Sequence, residues 1–450
     1  MKSFFLSTLC TVSVSSLVLA GASLSAANWP GFRGPNHDGS SPATGLPEKF
    51  SRTDGIKWAV DMPGPAASSP AVWGDSIFVS SSRPSDQKLL AMCVDAKTGG
   101  IKWQHEVTDG YKHDDRSNLA SPSPATDGKL VYFLYGTSVL VAFDFEGKEV
   151  WKRDLGKDYG NFGTQWTYST SPVLDGDKLY IQVLQRNEAF EFNGMQKGDP
   201  NGKNESYILA LEPATGKEIW RQVRASDAVA ESLEAFSSPV FHTFEGKRLM
   251  LISGGDTMTG HDAETGKELW RLNSWNSAKI GHWRLVPSPV AGDGVVLACA
   301  PKKEPVFGVK LDSKGSVDPL WTSNAREVSS DVSTPSFYQG KFYVLDSDRK
   351  TLACIEPKTG DVIWRGEFPT RTKIEASPTG ADGKIYVVDQ LGKVFVVKAG
   401  GSAMEVLLEA DFGMEGVTGT NSDNIVRAAI VPTNGMLLIR AQDRLYCVGK

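Results

Sequence analysis

The 450-residue sequence predicts an all-β protein, an eight-bladed β-propeller closed by its N- and C-terminal strands. Two repeated motifs, and the order in which they occur at the chain ends, predict this fold. One motif is an apolar strand, an acidic turn containing Thr-Gly and a second strand ending in tryptophan, as in residues 210–220 (ALEPATGKEIW). The other is Ser-Pro followed by an apolar run and a glycine turn. A sheet unit that cannot bury both faces alone must stack on copies of itself, which predicts a repeat architecture.

In the tryptophan motif, the acidic residue can cap the turn through its carboxylate, and the glycine tolerates a positive φ. The returning strand places an aromatic side chain at a fixed point of each repeat. From Trp103 onwards we expect these indoles to be mostly buried between neighbouring blades. Leu407 takes the remaining eighth position, and the tryptophan positions are Trp58, Trp103, Trp151, Trp220, Trp270, Trp321 and Trp364.

The Ser-Pro motif occurs seven times, with Val431-Pro432 as a degenerate eighth copy. The seven copies begin at Ser69, Ser123, Ser171, Ser238, Ser288, Thr334 and Ser377. Trp58 precedes the first copy, and the last repeat ends the chain without a tryptophan strand. The first strand is therefore predicted to complete the last blade beside residues 445–448, which removes free sheet edges. The span from Ile56 to Lys450 leaves about 49 residues per repeat, enough for four short strands.

These motifs resemble the tryptophan-docking repeats of the pyrroloquinoline-quinone (PQQ) type propellers. That group includes quinoprotein alcohol dehydrogenases and the BamB-like propeller lipoprotein of the outer-membrane barrel-assembly machinery. The segment Trp29-Pro30-Gly31-Phe32-Arg33-Gly34-Pro35 is similar to the N-terminal tag of exported propellers from planctomycete-like bacteria. The resemblance implies the fold, but one propeller scaffold carries many unrelated functions.

The chain divides into three parts. Residues 1–27 resemble a secretory signal peptide, with Lys2, an apolar stretch and the small residues Ser25-Ala26-Ala27. Residues 28–55 are rich in Gly, Pro and Ser and predict an extended strap that packs its aromatics and Arg33 across the propeller. Residues 56–450 form the propeller. We therefore expect a periplasmic or secreted protein with no membrane span.

Charge and cysteine content limit the partners. The formal net charge is −5, which gives no reason to expect a nucleic-acid partner. Four cysteines remain after export, namely Cys93, Cys299, Cys354 and Cys447. Three take the place of a small residue packed beneath a tryptophan, so we expect free, buried thiols and no disulfide framework. A monomer is expected.

The mouth of the central channel is the candidate ligand site. Residues just before each inner strand surround it, and they differ chemically from blade to blade. Arginines could bind carboxylates, aromatics could stack on a planar ligand, and acids could orient them. The candidates are Arg116, Asn118, Gln165, Trp166, Glu234, Arg284, Asp331, Glu375 and Arg427. The polar insert at residues 185–206 is the competing surface, which a protein partner would prefer.

The sequence favours a non-catalytic scaffold or binding protein. It contains no G-x-S-x-G elbow, H-E-x-x-H or P-loop, and no metal ligands are assigned. The resemblance implies, for quinoprotein dehydrogenases, PQQ beside Ca²⁺ on a Glu-Asn-Asp set, an Asp base and a disulfide of adjacent cysteines. This sequence has no Cys-Cys pair, so no cofactor is expected. Two alternatives stay open: a PQQ-dependent dehydrogenase acting on an alcohol or sugar, and a carbohydrate-binding propeller using Trp166, Tyr168 and Trp283.

Overall fold

The computed structural model describes residues 1, 27–112, 114–272, 274–310, 318–413 and 423–449. Within these ranges the chain forms eight four-stranded antiparallel sheets, the blades of a propeller. The predicted all-β, eight-bladed fold is confirmed. The signal-peptide prediction falls almost entirely on residues 2–26, which lie outside the described residues.

Strand β1 (Ile56–Asp61) precedes the blades, which we number 1 to 8 along the chain. Each blade runs from an inner strand at the channel to an outer strand at the rim. Blades 1 and 2 consist of β2 (Ala71–Trp73), β3 (Ser76–Arg83), β4 (Lys88–Asp95), β5 (Ile101–Asp109), and β6 (Ala125–Thr126), β7 (Leu130–Leu134), β8 (Val139–Asp144), β9 (Glu149–Asp154). Helix α1 (Leu155–Tyr159) follows β9.

Blade 3 is interrupted by the polar insert, which carries a small hairpin of its own. The strands of blade 3 are β10 (Val173–Asp175), β11 (Lys178–Val183), β14 (Tyr207–Leu211) and β15 (Glu218–Val223), and the hairpin strands are β12 (Phe190–Phe192) and β13 (Met195–Lys197). A 3-10 turn at Ala230–Leu233 leads into blade 4. Blade 4 contains β16 (Val240–Phe244), β17 (Lys247–Gly254), β18 (Thr257–Asp262) and β19 (Glu268–Arg271).

The remaining blades follow the same plan. Blades 5 and 6 consist of β20 (Val290–Gly292), β21 (Val295–Cys299), β22 (Val306–Lys310), β23 (Pro319–Thr322), and β24 (Ser336–Tyr338), β25 (Lys341–Asp346), β26 (Thr351–Ile355), β27 (Val362–Glu367). Blades 7 and 8 consist of β28 (Thr379–Ala381), β29 (Lys384–Val388), β30 (Lys393–Lys398), β31 (Val406–Asp411), and β32 (Val431–Thr433), β33 (Met436–Ala441), β34 (Arg444–Gly449). No helix in the described part of the chain is long and apolar enough to cross a bilayer.

The two chain ends close the ring, as predicted. Strand β1 pairs with β34 as the outer strand of blade 8, and Trp58 lies opposite Cys447. Arg440 of blade 8 is buried and donates to the backbone carbonyls of Ser80 at 2.6 Å and Gly64 at 3.1 Å, both on the blade 1 side. The closure therefore combines a strand pairing with a buried arginine.

In six blades of the described chain, the repeated turn is covered by the tryptophan of the preceding blade. The Trp151 indole N–H donates to the carbonyl of Pro213 in the next blade at 2.8 Å, and Trp364 makes the equivalent bond to Gly400. A Cβ added to Gly216 would lie 2.7 Å from the Trp151 ring. The turn glycine thus supplies a positive φ of 69° and also leaves room for the indole.

The residue opposite each tryptophan on the neighbouring strand is small. It is Cys93, Ala142, Ala210, Gly260, Gly308, Cys354 and Cys447 in the seven tryptophan-bearing blades. All four expected cysteines are free and buried, which confirms the sequence prediction. In blade 7 the equivalent pair is Val396 and Leu408, so the assignment of the eighth position to Leu407 was wrong by one residue. The partners Val396 and Leu408 are 408 − 396 = 12 residues apart, whereas Ala210 and Trp220 are 220 − 210 = 10 apart, so a longer connection between the two strands displaces the position.

Burial of the tryptophans differs from blade to blade. Trp270 and Trp364 are buried, whereas Trp103, Trp151, Trp220 and Trp321 are only partly buried. None of the six is exposed, so the prediction that they lie mostly buried is confirmed, and burial is nearly complete in two of them.

The Ser-Pro motifs form a ring of hydrogen bonds around the channel. The amide of Ser69 donates to the hydroxyl of Ser123 at 3.0 Å, and this pattern continues from blade to blade. We call the seven hydroxyl groups the hydroxyl ring: Ser69, Ser123, Ser171, Ser238, Ser288, Thr334 and Ser377. Ala429 takes the eighth position, because its amide donates to Ser69 at 2.9 Å. The degenerate eighth copy is therefore Ala429-Ile430, two residues before the predicted Val431-Pro432.

The strap crosses the propeller on the face away from the channel mouth. Trp29 exchanges two backbone hydrogen bonds with Val72 of blade 1, and the Asp38 carbonyl accepts from Phe337 of blade 6. Arg33 is buried and donates to the carbonyls of Pro335 at 2.7 Å and Pro378 at 3.1 Å. The strap thus bonds through Trp29, Arg33 and Asp38 to blades on both sides of the ring.

Candidate functional site

The channel forms a cavity of about 380 Å³. Phe32 of the strap lines one end, five members of the hydroxyl ring line the middle, and polar loop residues line the other end. These loops converge because each one leads directly into an inner strand, and all eight inner strands surround the same axis. The cavity is therefore a cup with its mouth on one face.

Six of the nine predicted residues line this cavity. They are Arg116, Trp166, Arg284, Asp331, Glu375 and Arg427. Two further cations, Lys302 and Lys373, line it as well and were not predicted. The lining therefore carries five basic and two acidic side chains, in a chain whose formal net charge is −5.

Trp166 is the centre of the mouth. The guanidinium carbons of Arg116 and Arg284 lie 5.1 and 5.7 Å from its ring centroid, within cation–π range. The Trp166 indole N–H donates to the Glu231 carboxylate at 2.9 Å, and Arg284 donates to the same oxygen at 3.0 Å. Glu231, on the 3-10 turn before blade 4, therefore fixes both side chains. This positioning role of Glu231 could not be predicted from the sequence, because the 3-10 turn lies outside the repeated motifs.

The two carboxylates that line the cavity are already engaged. Glu375 accepts a hydrogen bond from Arg427 at 2.7 Å, and Asp331 accepts one from the Lys302 amide at 2.6 Å. Burial, and then the nearby Arg284, lower the pKa of the Lys302 ammonium. Arg116 has no hydrogen-bonded side-chain partner among the described residues and is exposed at the mouth. Three of the five basic side chains are ion-paired as well, Arg284 with Glu231, Arg427 with Glu375 and Lys373 with Asp348. The surface offered to a ligand is thus rich in hydrogen-bond donors, and within the described ranges its unpaired positive charge comes from Arg116 and Lys302.

The other three predicted residues lie outside the cavity lining. Asn118 is buried, and its side-chain oxygen accepts from the Ala120 amide at 3.0 Å. Glu234 is fully buried and accepts from Arg186 at 2.6 Å and from the Gln165 amide at 2.9 Å. Burial raises the pKa of Glu234 to about 7, although Arg186 acts in the opposite direction. The structure places these groups behind the wall of the mouth, where they connect its loops.

The insert lies next to the mouth. Phe192 of its hairpin packs edge-on against Trp166, with ring centroids 5.2 Å apart. Arg186, at the start of the insert, stacks on Phe190 at 4.0 Å and donates to Gln165 at 2.5 Å. The two surfaces that the sequence presented as competitors are therefore in contact.

Of the aromatics proposed for carbohydrate binding, Trp166 alone lines the cavity. Tyr168 is buried in the core and donates its hydroxyl to the Gln182 carbonyl at 2.7 Å. Trp283 is outside the lining, so a stacked aromatic platform of three rings is not formed.

The residues present do not fit the calcium and quinone site that the resemblance implies. The free cysteines provide no disulfide of adjacent cysteines. Within the described ranges, no three His, Cys, Asp or Glu side chains are arranged so that they could hold a metal ion. The carboxylates nearest the cavity are bonded to Arg427 and to the Lys302 amide. We therefore derive no step through PQQ.

Three stretches of the chain, residues 50–195, 204–314 and 308–405, match the protein family described as outer membrane protein assembly factor BamB. Among curated proteins, the polyvinylalcohol dehydrogenase of Sphingopyxis sp. (strain 113P3) is 28% identical over 177 residues, covering 37% of this chain and 24% of that protein. BamB of Nitrosomonas eutropha (strain DSM 101675 / C91 / Nm57) is 29% identical over 96 residues, covering 21% of this chain and 23% of that protein. The matches thus span about a quarter of each relative.

Solved structures of both kinds share the fold. BamB from Moraxella catarrhalis superposes with a TM-score of 0.57 at 13% identity, covering 87% of this chain and 98% of that one. A europium-containing methanol dehydrogenase superposes with a TM-score of 0.61 at 14% identity, covering 92% of this chain and 89% of that one. Quinohemoprotein alcohol dehydrogenase from Comamonas testosteroni gives 0.59 at 15% identity, covering 94% and 81%. At these identities the likeness extends to the fold and no further.

Proposed function

Because the chain belongs to the family described as outer membrane protein assembly factor BamB, we propose that it is an exported, non-catalytic propeller that binds an anionic ligand at its channel mouth. One observation carries this proposal. Five basic side chains and Trp166 converge on a concave cavity, and two of the five, Arg116 and Lys302, have no carboxylate ion pair among the described residues. Concave sites with converging, chemically varied groups are the usual location for ligands.

The geometry supports a binding role for physical reasons. Arginine side chains held by Glu231 and Glu375 are preorganised, so little rotamer entropy remains to be lost on binding. The strap lies across the opposite end, so a ligand enters from the mouth. Export is supported by the composition of residues 1–27 and by the family to which the chain belongs.

The test uses benzene-1,3,5-tricarboxylate, a planar anion, and its neutral trimethyl ester as probes in titration calorimetry. We expect the native protein to bind the acid and not the ester, with weaker binding as NaCl is raised. Arg284→Ala and Trp166→Ala should each weaken binding about tenfold or more, the scale of a lost charge-assisted contact. Arg83→Ala is the matched control, because Arg83 is ion-paired to Asp86 and Glu106, does not line the cavity, and its loss changes the charge equally.

Failure of the native protein to bind the acid would contradict the proposal, as would equal losses in Arg284→Ala and Arg83→Ala. A protein partner that binds normally to the mouth variants but is lost with Met195→Asp would show that the insert is the functional surface instead. Met195 lies on the insert hairpin and is 45% exposed.

A second candidate, a PQQ-dependent dehydrogenase, is favoured by the 177-residue similarity to a polyvinylalcohol dehydrogenase. Adding PQQ and Ca²⁺ to the purified protein separates the candidates. A bound chromophore together with dye-linked alcohol oxidation would support the enzyme, and PQQ binding without oxidation would support a binding protein.

A further inference from the structure

The hydroxyl ring leaves an unusual set of donors without acceptors. Each ring hydroxyl accepts a hydrogen bond from the backbone amide of the preceding ring residue. For example, the Ser123 amide donates to the Ser171 hydroxyl at 3.0 Å, and the Ser288 amide donates to the Thr334 hydroxyl at 3.0 Å. No described residue accepts a hydrogen bond from any of these seven hydroxyl groups. Buried hydroxyls normally find an acceptor, so their free hydrogens need a partner from outside the protein.

Five of these hydroxyls line the cavity. They belong to Ser69, Ser123, Ser171, Thr334 and Ser377, and the first four residues are more than nine-tenths buried. The ring is also interrupted at Ala429, whose side chain offers no oxygen to the Ser377 amide. That amide has no acceptor among the described residues and lies at the same level of the channel.

The residues around this level add apolar surface and positive charge. Phe236, Val286 and Val332 line the cavity beside the hydroxyls. Arg284 and Arg427 lie toward the mouth, and the carboxylates there are already bonded. A group that seats among the hydroxyls must therefore accept several hydrogen bonds, and it benefits from negative charge.

We propose that the five ring hydroxyls that line the cavity form an oxyanion site, which receives the carboxylate or phosphate group of a small ligand while the ligand's apolar body lies against Phe236, Val286 and Val332. This inference rests on the proposed function, because the ligand reaches the ring through the same mouth. It adds a second point of recognition inside the cup and a ligand class, an anionic head group on an apolar body.

The experiment compares two ring positions that make the same structural bond. Ser171→Ala and Ser288→Ala each remove a hydroxyl that accepts a hydrogen bond from a backbone amide of the preceding blade. Ser171 lines the cavity, whereas Ser288 is absent from its lining. Any shared loss of stability is therefore matched, and Ser123→Ala serves as a second cavity variant of the same design.

Calorimetric titration with phenyl phosphate and with benzoate gives the readout. We expect Ser171→Ala and Ser123→Ala to weaken the binding of at least one probe about tenfold, as for one lost bond to a charged acceptor, and Ser288→Ala to leave it within twofold. The probe that responds more strongly identifies phosphate or carboxylate as the head group. Benzylamine, which has the same apolar ring and a cationic group, should not bind.

Equal affinities in Ser171→Ala and Ser288→Ala would overturn the oxyanion site and leave ordered water as the partner of the hydroxyls. If Arg284→Ala weakens binding in that same series, the mouth is confirmed and the ring site alone is wrong. If the native protein binds benzene-1,3,5-tricarboxylate but neither phenyl phosphate nor benzoate, the ring site is wrong and the proposed function stands. If it binds none of the three anions, both fail.

Discussion

The Trp151 ring packs directly against the turn glycine Gly216, and this contact predicts the effect of Gly216→Ala. Gly216 has φ +69°, and an added Cβ would lie 2.7 Å from the Trp151 ring. Alanine at positive φ costs about 1–2 kcal/mol, and overpacking of a fitted contact adds about 1–3 kcal/mol. We therefore expect a loss of about 2–5 kcal/mol in the free energy of unfolding.

Gly246→Ala is the matched control, because Gly246 has φ +76° and nothing within 4 Å of an added Cβ. It should lose only the backbone contribution, about 1–2 kcal/mol. Urea unfolding followed by tryptophan fluorescence measures both. In a Trp151→Ala background, where the indole is gone, Gly216→Ala should cost no more than Gly246→Ala. Equal losses for Gly216→Ala and Gly246→Ala in the native background would refute the idea that the indole requires glycine.

Three further predictions follow from burial and hydrogen bonding. Trp364→Ala should cost about 3–5 kcal/mol and Trp220→Ala clearly less, because Trp364 is buried and Trp220 is not; equal urea midpoints would contradict this. Ala429→Ser supplies the missing ring oxygen and should raise stability by about 0.5–1.5 kcal/mol, and an unchanged melting temperature would count against the ring. Burial raises the pKa of Glu234 to about 7 from its ordinary value of 4.5, so the stability that Glu234 contributes is present below about pH 4.5 and lost as pH rises through about 7. Glu234→Gln should remove that decline from melting curves taken between these pH values, and a decline that persists would assign it elsewhere.

The fold was predictable because it is repeated. Eight copies of two motifs, with Trp58 ahead of the first Ser-Pro, determine the blade number and the closure by β1. The errors at Leu407 and Val431 occur where a copy has lost its marker residue. In blade 7 the length of the connection between two strands decides the alignment, and at Ala429 a backbone amide does, and residue types encode neither.

The site was predictable only in part. Arg284 and Arg427 line the cavity because they lie just before inner strands, a position that the repeat defines. Lys302 was missed because its loop follows β21 and reaches the mouth from within the blade. Glu234 was expected at the mouth but is turned into the wall by Arg186 of the insert, a contact between blades that sequence spacing does not encode.

The route of the strap has a consequence for the kinetics of folding. Arg33 is synthesised early, yet the carbonyl groups that accept its hydrogen bonds, those of Pro335 and Pro378, lie 302 and 345 residues further along the chain. Strand β1 likewise waits for β34, since Asp61 and its partner Arg444 are 383 residues apart. Contacts of such long sequence separation form slowly, because the loop-closure entropy is lost before the contacts form. The ring therefore cannot close until β34 has been synthesised, and a chain that stops before β32 leaves the N-terminal strand unpaired.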